Sequence, residues 1–360
     1  MTPHLPTGVG IRSVGGYLPK ETLDNAELEG LLDTTAAWIE ERLGIYQRHI
    51  AAPHQQASDL GLEALHDALT VAGLPLTAVD LLLCGTATPD HMFPATAAAI
   101  AHKAGLNGVP CLDVNSGGCA GGVFALDVGA RYVASGQYGC VAVVLTDVVT
   151  RVCATDDRTT RAIFGDGAAC YLLQPCKAGR GIGTTLLRTM PEWFHTAHVR
   201  RIPSQDPHAN AFSGGNVLVM NGPEVRDFAL DVVPRFIHEI AAADGIDVHM
   251  ADFIALHQAN PRLIPKILQR VGVPTDKTLV TAASMGNTSG ASVPLVLWEA
   301  LKQERIRRGS IVLAVAFGSG LSMGGTVIRW CGEKDFLPTQ QKTFPAAPTR
   351  FRDTEGRGTP

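Results

Sequence analysis

Apolar residues in this chain come in short unbroken runs. Between the runs lie longer segments whose apolar positions recur every three or four residues. The runs VDLLLCGTA (79–87), CVAVVLTD (140–147), AACYLLQ (168–174), ADFIALHQ (251–258) and SIVLAVAF (310–317) have strand length and no alternation, as strands buried on both faces do. Residues 58–72, 120–134, 224–243 and 293–303 have helical spacing. Short apolar strands separated by helices predict an α/β fold.

The order of these pieces is used twice. In the first half VDLLLCGTA is followed by a turn carrying Cys119 before a helix, then by CVAVVLTD and the glycine-rich FGDGAACYLLQ. In the second half ADFIALHQAN is followed by GNTSGASVPLVLWEAL, SIVLAVAFGSG and SMGGTVIRW. Cys119 and Asn287 therefore hold equivalent places, each opening a helix after a strand. Residues 175–222, which contain EWFHTAHVRRIPSQDPHANAFSGG, break the plan and predict a long inserted excursion. The polar, proline-bearing end beyond Trp330 predicts a loosely attached, poorly ordered tail. The domains expected are residues 1–175 with Cys119, residues 176–332 with His257 and Asn287, and the tail 333–360.

Composition narrows the class. The 360 residues, 46% hydrophobic and 18% charged, are enough for a large core. A formal charge of −4 gives no general attraction to nucleic acid or to an anionic membrane. No apolar run reaches the roughly 18 residues of a membrane span, and the first residues lack a signal peptide's charged start and apolar stretch, so a cytoplasmic location is expected. The eight cysteines are scattered without a CxxC pair, which excludes a zinc ribbon or dithiol motif. Five of them (Cys84, Cys111, Cys140, Cys170, Cys331) sit in or beside strand-like runs and are expected as buried, reduced thiols. HTAH (195–198) lacks further ligands and is read as a solvent-exposed loop, so no metal is expected. FGDGAA lacks the lysine and spacing of a phosphate loop and reads as a turn feeding a strand.

Cys119 is different. In NSGGCAGGVFAL it stands between glycine pairs at a helix start. Unpaired N–H groups there favour a thiolate, and glycines clear the approach. An activated nucleophile and a small residue in a glycine-rich turn both fit this local pattern. His257 ends an apolar strand where the chain leaves the sheet, the end at which α/β folds gather their sites. Asn287 offers an amide that donates without titrating. Three such residues at equivalent strand ends point to one site.

These stretches resemble the β-ketoacyl-acyl-carrier-protein synthase III family of the thiolase fold. The similarity is carried in order by LDTTAAWIEERLGIYQRHIAAP (32–53), CAG (119–121), DDRTTRAIFGDGAA (156–169), HQANPRLI (257–264), GNTSGASVP (286–294) and AFGSG (316–320), and covers roughly residues 8 to 330. The resemblance implies two similar βαβαβαββ-type halves in a five-layered αβαβα arrangement. It implies a Cys119, His257 and Asn287 triad that loads an acyl group from acyl-CoA onto Cys119. Malonyl-acyl carrier protein then condenses with decarboxylation, while His257 and Asn287 hydrogen-bond the enolate oxygen. The backbone N–H groups of Cys119 and Ser319 resemble the family's oxyanion hole.

By the same resemblance, Trp38 and Arg158 clasp the CoA adenine from opposite sides, and Arg42 supports the nucleotide end. Gly222 and Asn260 line the pantetheine tunnel. Phe93 (from across a homodimer interface), Val149, Phe164 and Phe317 form the acyl pocket, and Arg262, Lys266 and Arg270, four apart on one helix face, form the carrier-protein docking surface. No permanent cofactor is implied. Departures are Gly117, Gly118 and Gly122 around the thiol, Arg226 near the CoA channel, Asp227 in place of a basic docking residue, and Arg161 near an apolar wall, which suggests a primer with a distal polar or acidic group. Two other readings stand beside condensation: transfer of the acyl group to an alcohol or amine, and a non-catalytic partner subunit. The paired donors His257 and Asn287 favour condensation, because simple transfer needs no enolate hole. A papain-like protease has a different local signature.

Overall fold

A computed structural model describes residues 8–115, 118–199 and 217–339. The five predicted runs lie in strands β2 (Leu81–Gly85), β4 (Val141–Asp147), β5 (Gly167–Cys176), β7 (Phe253–Leu256) and β8 (Ile311–Gly318), and the sheets also contain β1 (Gly8–Tyr17), β3 (Cys111–Val114), β6 (Gly181–Thr189) and β9 (Ser322–Arg329). They form two sheets, ordered β1-β5-β4-β2-β3 and β7-β8-β9-β6. In the first, β2 runs parallel to β4, β4 antiparallel to β5 and β5 antiparallel to β1. In the second, β7 runs parallel to β8, β8 antiparallel to β9 and β9 antiparallel to β6. The pairing repeats strand for strand. The first sheet adds β3, parallel to β2 at the edge, which leads into the nucleophile turn.

The helices needed here are α1 (Ala36–Arg42), α2 (Ala57–Ala72), α3 (Thr96–Ala104), α4 (Gly121–Ala134), α5 (Arg158–Arg161), α6 (Gly222–Asp231), α7 (Val233–Ala243), α8 (Ile264–Val271) and α9 (Ser292–Lys302). Their apolar patterns decide their layers. In α4 and α9 apolar residues go nearly all round, as a helix covered on every side requires, and both lie between the sheets in the largest core cluster, among residues of each sheet. In α7 the buried residues Val233, Phe236, Ile237, Ile240 and Ala241 follow helical spacing on one face, which packs with α8 against the second sheet. Helices α2 and α3 cover the outside of the first sheet. The result is the five-layered αβαβα arrangement.

Three expectations need correction. Strand β6 lies inside the stretch read as an inserted excursion. As an edge strand bonded, among the described residues, only to β9, it is part-exposed and lacks an unbroken apolar run; residues 200–216 lie outside the described residues. The helix expected over 224–243 is two helices, because Pro234 has no N–H to give and its ring crowds the Leu230 carbonyl four residues back. The polar end is not loose at its start: Arg308 holds Asp335 at 2.8 and 2.7 Å, and Arg12 lies over the Phe336 ring. Residues 340–360 lie outside the described residues.

The segment carrying α1 docks through a small cluster of Leu28, Leu32, Ile39, Leu43, Ile45 and Ala162. Buried Arg48 ties it down, donating to Leu23 O (3.0 Å), Asn25 Oδ1 (3.0 Å) and Ala162 O (2.8 Å).

Gly122 opens no space around the thiol. A Cβ there would meet the Gly290 carbonyl oxygen at 2.5 Å, so the glycine lets the first turn of α4 touch the second half's turn. Gly122→Ala should therefore cost about 1–3 kcal/mol, typical of overpacking a tight core, seen as a lower denaturation midpoint at unchanged slope.

Candidate active site

Between the halves lies a cavity of about 1520 Å³. Cys119, His257 and Asn287 all line it, brought there by three different turns. Cys119 sits in a 3-10 turn, Gly118–Ala120, just before α4. Gly118 takes φ +48°, a left-handed value that suits glycine, and the site of its missing Cβ lies 3.4 Å from Ser319 Oγ. The β8–β9 turn holding Ser319 therefore lies against the nucleophile turn. Gly117 lies outside the described residues.

The thiol is not poised as a thiolate. Burial pushes Cys119 up to about 12; hydrogen bonds from Ser289 and Asn287 pull down, and the Asp147 charge pushes up. Burial outweighs the helix-start effect expected from the sequence. An apolar cluster surrounds the thiol, with Val149, Cys153 and Phe164 buried and Val152, Ile163, Leu218 and Met220 beside them.

His257 follows the end of β7 and is buried. Burial lowers it to about 3, so the ring is neutral. Its Nδ1 lies 2.5 Å from Ser292 Oγ, and the same oxygen receives the Gln258 N–H at 3.4 Å. Nδ1 is the one acceptor recorded for the Ser292 hydroxyl proton among the described residues, so the hydroxyl donates to it. This network assigns the ring proton to Nε2, a donor for the cavity. Phe317 packs edge-on to the ring, 5.1 Å between centroids.

Asn287 is fixed from both sides. Its backbone bonds Ile163 O and Gly165 N in the first half (2.9 and 3.1 Å). Its Oδ1 accepts from Ser289 N–H at 2.9 Å, which leaves the amide NH₂ as the donating end. Cavity, nucleophile and two neutral donors suit attack on a carbonyl followed by stabilisation of an anionic oxygen.

Other expected residues also reach this cavity: Ser319, Arg42, Gly222, Asn260, Phe93, Val149, Phe164, Phe317, Arg262, Lys266 and Arg226. Trp38 and Arg158 reach its mouth but stack on each other, guanidinium to indole at 5.3 Å. A base sandwiched between them needs about 7 Å, two contacts of roughly 3.5 Å each. Arg226 pairs with its neighbour Asp227 at 2.8 Å.

Arg262 precedes α8 and so does not share a helix face with Lys266 and Arg270; it donates to Glu40 O at 2.8 Å. Arg270 does not line the cavity. It donates at 2.6 Å to Leu230 O, the carbonyl that Pro234 leaves without its helical partner, and pairs with Asp231. Arg161 does not line the cavity either, and its buried Nε has no partner among the described residues, so its charge does not mark the acyl wall. The HTAH stretch is no exposed loop: Thr196 is buried, Ala197–His198 pairs with Val219–Met220, and Phe194, Ala197 and His198 line the cavity.

Asp147, Ser289 and Ser292 were not singled out from the sequence. A carboxylate ending the otherwise uncharged VAVVLTD strand is the signal that marks Asp147.

A doubled α/β sandwich with a cysteine at the start of a central helix defines a thiolase-fold enzyme. The chain matches the model of 3-oxoacyl-[acyl-carrier-protein] synthase III over residues 112–191 and of its C-terminal part over residues 241–330. It is 36% identical over 326 residues to the β-ketoacyl-[acyl-carrier-protein] synthase III of Symbiobacterium thermophilum, covering 89% of this chain and 98% of that one. Among solved structures, the β-ketoacyl-[acyl-carrier-protein] synthase III of Thermus thermophilus superposes with TM-score 0.84 at 33% identity, covering 90% of this chain and 99% of that one. The priming β-ketosynthase of the R1128 polyketide biosynthetic pathway superposes with TM-score 0.84 at 32% identity, covering 90% and 97%. The chain belongs to the β-ketoacyl-[acyl-carrier-protein] synthase III family.

A histidine held near 3 stays neutral across the working range. In ¹⁵N spectra of histidine-labelled protein, His257 should carry its proton on Nε2 and show no titration between pH 8 and 5. Because its value is lowered from the ordinary 6.5, it contributes stability that is full above pH 6.5 and declines as pH falls toward 3.

Proposed function

We propose that this protein catalyses the decarboxylating condensation of an acyl group, loaded from acyl-CoA onto Cys119, with malonyl-acyl carrier protein to give a β-ketoacyl-acyl carrier protein. The observation that carries the reading is the convergence of the Cys119 thiol with two uncharged donors, His257 Nε2 and the Asn287 amide, on one cavity. Cys119 attacks the thioester, and its own N–H with that of Ser319 holds the oxyanion. CoA leaves, and the malonyl thioester takes its place. As carbon dioxide departs, His257 and Asn287 hydrogen-bond the enolate oxygen, and the enolate carbon attacks the acyl group on Cys119. Simple transfer to an alcohol or amine makes no use of these two donors.

The CoA end has support in the cations at the cavity, Arg42, Arg151, Arg158, Arg226, Arg262 and Lys266, set against the single carboxylate Asp90 among the described residues. Arg262 and Lys266 serve the acidic carrier protein. The apolar surroundings of Cys119 suit an unbranched or branched hydrocarbon primer rather than an acidic one. A homodimer is supported by Phe93 and Met92, which are 84% and 58% exposed, and by the outer edge of β3, which no strand among the described residues pairs. The halves 1–175 and 176–332 act as one unit around the shared cavity. No helix among the described residues is long and apolar enough to cross a membrane, in keeping with a protein that works in the cytoplasm.

Incubation with acyl-CoA should add the mass of one acyl group at Cys119, and Cys119→Ala should abolish it. His257→Ala and Asn287→Ala should still load acyl groups but release carbon dioxide from malonyl-acyl carrier protein about 10²–10³-fold more slowly, the usual loss for one such donor. Equal loss of loading and decarboxylation in both variants would overturn the assignment of roles.

A further inference from the structure

Of the two side chains that donate into the cavity, the His257 ring is the harder to hold. Its backbone N–H donates to Val315 O at 2.8 Å, and Phe317 lies edge-on to the ring. A backbone bond leaves the side-chain torsions free, and the second torsion of a histidine has only broad, two-fold preferences. Packing against a ring edge does not tell one nitrogen from the other. The polar contact that does is Nδ1 to Ser292 Oγ at 2.5 Å, and among the described residues the ring has no other. Ser292 is the first residue of α9 and is buried, so the bond is shielded from solvent.

The direction of this bond decides what the ring can do. Where a histidine serves as a base, Nδ1–H donates to a carboxylate, and Nε2 is left free to take a proton. Here the hydroxyl donates to Nδ1, so Nε2 carries the proton, and the polarised ring is a stronger donor there. The arrangement suits giving a hydrogen bond rather than removing a proton.

Ser292 is itself placed by the turn that places Asn287. The Ser292 N–H donates to the Ser289 carbonyl, and the Ser289 N–H donates to Asn287 Oδ1 at 2.9 Å. The main chain of one residue therefore carries both donors, the amide directly and the imidazole through Ser292. Ser289 does this at φ +52°, a left-handed value unusual for a residue with a side chain.

We propose that Ser292 is a positioning residue for the condensation step, holding the His257 ring so that Nε2–H points into the cavity beside the Asn287 amide. The proposal rests on the reading that these two donors stabilise the enolate oxygen. Ser292 does not line the cavity, so it acts through the ring. Two donors serve one oxygen only if both reach the same point, and a ring free to turn would offer its unprotonated edge for part of the time. Attack by Cys119 makes no demand on this bond.

Ser292→Ala removes the hydroxyl and little else. Carbon dioxide release from malonyl-acyl carrier protein should slow by about 10²-fold, the loss that a misplacement of about 1 Å can cause. Alkylation of Cys119 by iodoacetamide should keep its wild-type rate. In His257→Ala protein the same substitution should slow carbon dioxide release no further, because a residue acting through the ring has nothing to act on once the ring is gone. In ¹⁵N spectra of histidine-labelled protein, the Nδ1 signal of His257 should move downfield as it loses its donor. A merely structural role would slow alkylation and would add to the loss in His257→Ala. Wild-type carbon dioxide release in Ser292→Ala, a further loss in the double variant, or an unmoved Nδ1 signal would overturn the proposal. The Nδ1 signal needs no substrate. A wild-type protein that released no carbon dioxide would sink the condensation reading, while the Nδ1 shift would still decide whether Ser292 holds the ring.

Discussion

The site depends on one backbone contact, the first turn of α4 pressed against the turn 286–291. A glycine hydrogen at position 122 is all that separates α4 from the Gly290 carbonyl. From that contact the Gly290 N–H reaches Asp147, and Asn287 bonds Ile163 and Gly165. The two halves each supply incomplete chemistry. Cys119 belongs to the first, His257 and Asn287 to the second, and only close approach of main chain to main chain brings them to a single point. Side chains long enough to bridge a wider gap would carry rotamer freedom that catalysis cannot use.

The same contact explains the electrostatics. The thiol, the imidazole and the amide are all uncharged at rest, the imidazole held by Ser292 and the amide by the Ser289 N–H. Burial raises the thiol and lowers the imidazole, so the resting site contains no thiolate–imidazolium pair. Charge appears only when the reaction creates it, and then it meets donors already pointed at it, where water cannot dilute their effect.

Much of this was legible in the sequence, for reasons that differ by residue. Central strands such as VAVVLTD and IVLAVAFG are covered on both faces, so their apolar runs are unbroken. The edge strands β1 and β6 mix glycine, threonine and arginine with apolar residues and do not stand out. The doubled order of elements put Cys119 and Asn287 at equivalent turns, and both line the cavity. Arg270 looked like a docking residue because spacing says nothing of Pro234, whose missing N–H frees the Leu230 carbonyl, 40 residues from Arg270, that Arg270 takes. Gly122 looked like room for a substrate because a sequence does not say which backbone will lie against a glycine. Asp147 was silent for a similar reason: its Oδ2 takes the Gly290 N–H that the other half brings alongside.

The Arg158–Trp38 stack at the cavity mouth has its own consequence. With the guanidinium resting on the indole, the entrance is held by two residues that already satisfy each other. A ligand ending in a flat base can enter by exchange, replacing one stacking contact with two. A ligand ending in a flexible, non-planar group has to part the same pair and gives nothing back. The mouth thus ranks its visitors by their far ends, some distance from the thiol, before the reactive group has reached the chemistry.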